Sequence, residues 1–160
     1  MSRFVEVKHQ VWIKAPPPTV RAQFADLYHH IETNVHPKLK FEVLAMEPQR
    51  ACFTQEVTLL GLRQRDRFER IIDDDGSIHD QSVDGFNKGG TLDFSFTPAA
   101  RQGNDGTTVD ITIRLPVPRL MGWLAPVLKS QVMREVTAGA LEDKYDLEQR
   151  GYPARAAAAA

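Results

Sequence analysis

Between Phe4 and Lys14 apolar residues fall on alternate positions. Val5, Val7, Val11 and Ile13 share one side of "FVEVKHQVWIK", the period of a half-buried strand. "APPP" ends that strand, and Val20, Phe24, Leu27 and Ile31 then recur at helical spacing until "NVHP" breaks the pattern near Pro37. The spacing predicts one or two short helices there. Six alternating segments follow: "KFEVLAM", "CFTQEVTLL", "RQRDRFERII", "SIHDQSVDG", "TLDFSFTP" and "TTVDITIRLPV". Between them "DDDG", "NKGG" and "RQGNDG" supply the Gly and Asp that tight turns require. From Pro118 to Arg150 the period is helical again, with Pro126 expected to break or kink the first turns, and Gly151 with Pro153 stops it. A helix over 127–149 is predicted, facing the sheet with Val132, Val136 and Ala140.

This order predicts an α+β fold: a seven-stranded curved antiparallel sheet around a long C-terminal helix, with two short helices after strand 1 and a cavity between sheet and helix. The chain has 160 residues, 42% hydrophobic and 26% charged, enough for one domain, expected over 1–151 with a flexible Ala-rich tail at 152–160. Twenty Lys and Arg against 21 Asp and Glu leave no basic excess, so nucleic acid is not an expected partner. The lone Cys52 forms no internal disulfide. With no secretory leader pattern and no run of about 18 apolar residues, the expectation is a cytoplasmic protein without integral membrane association.

Candidate chemistry begins on "LRQRDRFERII". Arg63, Arg65, Arg67 and Glu69 are too charged to bury, so Gln64, Asp66, Phe68 and Arg70 are expected to face inward, with His79, Gln81 and Val83 joining them from the next strand. The competing reading is an edge strand solvated on both faces, on which Asp66 and Arg70 neutralise each other. Val132 and Val136 complete the expected ligand-facing set. Leu120, Met121, Trp123 and Leu124 read as a core turn entering the helix, with a lid or membrane-sensing patch as the alternative. No Gly-rich phosphate loop and no nucleophile elbow is present, and nothing beside Cys52 lowers its pKa.

"ADLYHHIETNVHP" gathers three of the five histidines with two carboxylates. It reads either as a metal site or as the crowded end of a helix whose imidazoles meet unpaired carbonyls.

The element order, with "IKAPPPTVRAQFAD" near the start and "GTTVDITIRLPVP" before the last helix, resembles the START-like, Bet v 1-like (SRPBCC) helix-grip superfamily that includes polyketide cyclases. The resemblance covers residues 3–150. It implies a pocket for a hydrophobic small molecule such as a lipid, a polyketide or an aromatic compound, in a carrier or cyclase-type protein without a cofactor. Asp26 to His29 and Val35 to Pro37 further resemble parts of the iron-binding motif in the catalytic domains of Rieske-type oxygenases, and "LEDKYDLEQR" resembles the run that supplies their carboxylate. The spacing departs from that motif, and one Cys cannot hold a Rieske cluster. That resemblance implies, as the alternative, Fe2+ held by His30, His36 and Asp143, with His29 in place of His30 as the variant set. At 100° per residue Asp143 falls within about 20° of Val132 and Val136, on the apolar stripe of the helix.

Overall fold

The computed structural model describes residues 3–152. Strand β1 (Arg3–Ile13) is followed by helices α1 (Pro17–Ala25) and α2 (Leu27–Glu32), which cross to the far side of the sheet. Six strands then run consecutively: β2 (Lys40–Glu47), β3 (Arg50–Leu59), β4 (Leu62–Ile72), β5 (Ile78–Gly85), β6 (Thr91–Pro98) and β7 (Thr107–Val117). A 3-10 turn, Arg119–Leu124, leads into α3 (Ala125–Glu148). All seven strands form one antiparallel sheet in the order β1-β7-β6-β5-β4-β3-β2, so β1 and β2 are its edges. The predicted α+β helix-grip architecture is the one observed.

Alternation decides which face of the sheet meets α3. On β1, Val5, Val7, Val11 and Ile13 are buried, and each such side chain contributes roughly 1.5–3 kcal/mol by leaving water. Val11, Ile13, Ile78, Val109 and Ile111 from the sheet pack with Val20 and Phe24 of α1 and with Ala140 and Leu147 of α3. Val5, Val7, Leu59 and Val117 close over Val132 nearer the start of α3. The sheet therefore grips α3 from both ends, and the polar groups that enter between those two clusters have to be paired.

Two sequence expectations are corrected here. Pro126 sits in the first turn of α3, where its missing N–H costs nothing, so it begins the helix. The preceding turn is not core: none of its residues is buried, and Leu120 is 93% exposed and Trp123 76%. Val5, Leu59 and Val117 pack around Val132 without them. Tyr152, the first residue of the expected tail, is among the described residues. Tyr152 packs edge-on against the His29 ring at 4.7 Å and donates its hydroxyl to Asp26. The rest of the Ala-rich tail lies outside the described residues.

Candidate functional site

A cavity of about 200 Å³ lies between α3 and the concave face of the sheet. Its lining is mostly apolar, and Phe24, Phe41, Phe53, Phe68 and Phe94 give it aromatic walls. The rings of Phe53 and Phe68, on paired positions of β3 and β4, stack at 5.5 Å, and Phe24 of α1 meets Phe94 edge-on at 5.4 Å. Lys38 and Glu135 also line the space and pair at 3.8 Å.

Two polar stations face this apolar space from the sheet. Arg70 forms a bidentate pair with Asp80, both bonds 2.7 Å, and also donates to the Phe24 carbonyl. Its guanidinium lies 5.1 Å from the centre of the Phe53 ring. Asp66 instead accepts from Ser82 Oγ, from the backbone N–H of Asn87 and from the Asn87 amide, which also donates to Gln64. Gly85 makes that second station feasible. It pairs with Asp66 at φ +116°, and a Cβ there would collide with the Arg65 carbonyl, so only glycine lets the chain turn Asn87 back onto Asp66.

The expected inward set of β4 is thus buried on a strand inside the sheet, and the competing edge-strand reading does not hold. Asp66 and Arg70 do not neutralise each other. Asp66, Phe68, Arg70, Val132 and Val136 line the cavity, while Gln64 is buried behind it, bonded to the Leu59 carbonyl. The alternation read on β5 is out of phase by one. Ile78, Asp80 and Ser82 point inward, and Gln81 and His79 are exposed. His79 lies between Asp93 and Asp73, at 2.7 and 2.8 Å, and these carboxylates raise its pKa against a smaller opposing effect of burial. "SIHDQSV" offers a polar residue in either phase, and the buried demand of Arg70 for a carboxylate selects Asp80.

The histidines come together at the opposite wall. Asp26 caps α2, accepting the His29 N–H at 3.0 Å, and its carbonyl oxygen accepts His30 Nδ1–H at 2.7 Å. That bond fixes the His30 ring and turns Nε2 towards Asp143 Oδ1, 3.0 Å away. His36 arrives from the loop 33–39, which Asn34 opens with φ +51° and the buried Val35 anchors. Its Nε2 lies 3.3 Å from the same oxygen, and its Nδ1, without a hydrogen bond, is 3.6 Å from Glu142. Ligand atoms of His30, His36 and Asp143 all lie within 4.8 Å of one another, and all three residues line the cavity.

Electrostatics makes this a held charge cluster. Burial alone would discharge His36, but the Asp143 carboxylate, with Glu142 beside it, outweighs that effect and pushes its pKa up to about 10. For Asp143, burial favours the neutral acid, yet His36 and His30 together hold its carboxyl well below the usual range. Since His30 Nδ1–H is committed to the Asp26 carbonyl, Nε2 is the ring nitrogen presented to Asp143.

His29 is not in this cluster. It bonds Asp146 at 2.6 Å, one turn along α3 from Asp143. Gln23 of α1, fully buried, donates to both Asp143 and Asp146 at 3.0 and 3.1 Å. Gln23, Asp80, Ser82, Asn87 and Asp146 were not singled out in the sequence. Gln23 shares the buried face of α1 with Val20 and Phe24, and Asp146 follows Asp143 by three residues as two neighbouring histidines would require.

No protein-family model matches the sequence, and no curated protein matches it. Solved structures do. TTHA0849 of Thermus thermophilus superposes with a TM-score of 0.73 at 21% identity, over 90% of this chain and 99% of that one. The Zhui aromatase/cyclase of a Streptomyces species gives 0.70 at 17%, over 93% and 99%. A START superfamily protein of Mycobacterium smegmatis gives 0.70 at 17%, over 89% and 97%. At these identities the likeness establishes the fold, and the chain has the START-like, Bet v 1-like helix-grip fold.

Proposed function

We propose that the cavity binds a hydrophobic small molecule, as a carrier or as a cyclase-type protein. The observation that carries this reading is an aromatic-walled space inside the fold, with a few convergent polar groups at opposite walls. Its size points to the ligand class. An apolar cavity of about 150 Å³ accepts benzene, so about 200 Å³ suits one or two rings better than a long acyl chain. Arg70 and His36 line the space, and in this reading they meet a carbonyl, phenolate or carboxylate oxygen of the ligand while the stacked Phe53 and Phe68 hold its ring. The likeness to an aromatase/cyclase supports the class without naming the compound. Native mass spectrometry against one-ring, two-ring and long-chain probes tests the reading: stoichiometric retention of the ring compounds is expected, and retention of none would remove it.

A second reading has its own observation, the convergence of His30, His36 and Asp143. The donor set fits a divalent metal. Two imidazole nitrogens and a carboxylate suit Fe2+, His30 is backed by the Asp26 carbonyl as metal-ligating histidines usually are, and the orphaned His36 Nδ1 has Glu142 within a small rotation. His29 is excluded from the set by its bond to Asp146. When bound, such an ion supplies a Lewis acid with coordination positions left open. The chain's own part is to orient the three ligands, to hold Asp143 through Gln23, and to set the Phe41 ring beside His36. Metal analysis after anaerobic Fe2+ loading should give one ion per chain, and none in His36→Ala. Equal loading of both proteins would reject these ligands.

A further inference from the structure

The turn Arg119–Leu124 and the first turn of α3 form an apolar and basic surface with no part in the cavity or the histidine cluster. Leu120 and Trp123 stand almost free, and Met121 and Val127 are exposed beside them. Exposed side chains of this size in one short turn are a cost to a protein that keeps them in water. Charge is equally one-sided. Residues 111–134 contain Arg114, Arg119, Lys129 and Arg134 and no acidic residue, in a chain whose formal net charge is -1. Glu6 answers Arg114 at 3.6 Å, but among the described residues Arg3, Arg119, Lys129 and Arg134 form no salt bridge, and all four are exposed. Arg3 belongs to the same patch: a Cβ on Gly122 would lie 3.1 Å from its guanidinium.

We propose that this turn docks the protein onto an anionic lipid surface, with Leu120 and Trp123 entering the headgroup boundary and Arg3, Arg119 and Lys129 meeting lipid phosphates. Trp favours that boundary because its ring is apolar and its N–H polar. Each cation near an anionic leaflet adds attraction worth roughly fivefold in partitioning. A second copy fits the surface less well, because a two-fold contact would bring the same unanswered cations from both copies into one interface. The contact is peripheral, since no described helix is long and apolar enough to cross a bilayer.

The test is co-sedimentation of the full chain with vesicles of phosphatidylcholine alone or mixed with phosphatidylglycerol. The wild type is expected to pellet with the mixed vesicles, with a blue shift of Trp emission, and to be released at about 1 M salt, where the screening length is about 3 Å. Leu120→Ser with Trp123→Ser, and separately Arg119→Glu with Lys129→Glu, should each weaken pelleting at least about tenfold while thermal stability holds, because these side chains are exposed. Failure of the wild type to pellet with the mixed vesicles, or equal pelleting of the variants, would overturn the proposal. So would a soluble dimer that Leu120→Ser with Trp123→Ser converts to monomer, which would assign the surface to a second copy.

Discussion

Nε2 of His30 lies 3.0 Å from Oδ1 of Asp143 across 113 residues of sequence, and both side chains are buried. The contact ties α2 to the last third of α3 and makes a single carboxylate oxygen the focus of two imidazoles and one amide. Removing the carboxylate leaves charge and donors buried without a partner. Asp143→Ala is therefore expected to cost about 3 kcal/mol or more in urea unfolding of the metal-free protein. Asp143→Asn, which keeps the shape and one acceptor but not the charge, should recover only part of that loss, and a stability equal to the wild type would show that charge is not what Asp143 supplies.

The same cluster sets a pH dependence. His36 is raised from 6.5 to about 10 on folding, so its contribution is fully present below pH 6.5 and is lost as pH rises towards 10. Asp143 is depressed, so its contribution is present above 3.8 and disappears as pH falls through the folded value. Metal-free stability should be highest between these limits and decline on the alkaline side, with His36→Gln flattening that decline. Metal binding has to displace the His36 proton, so affinity should rise with pH, and calorimetry in buffers of different ionisation enthalpy should register about one proton released at neutral pH.

Arg70 and Asp80 offer a cleaner comparison of buried charge. Asp80→Ala strands a guanidinium that is 6% exposed, and a loss of about 3–5 kcal/mol is expected. Arg70→Met combined with Asp80→Leu removes both charges and should recover most of it, as thermal unfolding of the three proteins would show.

Gly139 faces His36 across the cavity wall, and a Cβ there meets only His36 Cε1, at 3.9 Å. Gly139→Ala should therefore stabilise α3 by about 0.8–1 kcal/mol through its backbone. A fall in melting temperature would mean that the helix needs closer approach at this point than the structure shows.

Strand and helix order was legible because period two and period 3.6 are properties of local sequence. β4 was read in the right phase because Arg63, Arg65, Arg67 and Glu69 leave only one face to bury. β5 was not, because His79 and Asp80 are equally polar and the choice belongs to Arg70, ten residues back. The helical phase of Asp143 brought it to the inward stripe, but its hydrogen bond to Gln23 depends on how α1 crosses α3, which no spacing encodes. Leu120 and Trp123 misled the reading because a short apolar turn looks alike whether or not another element covers it.

The cavity itself is tested most directly by a reporter in its wall. In Phe68→Trp the new indole stacks on Phe53, and its emission, read against Trp12 and Trp123, should shift saturably with one equivalent of a naphthalene-sized ligand. Adding Gly139→Leu should abolish the shift by filling the space from the helix side. An indole that senses no ligand, or a shift that persists unchanged with Gly139→Leu, would contradict an internal hydrophobic binding site.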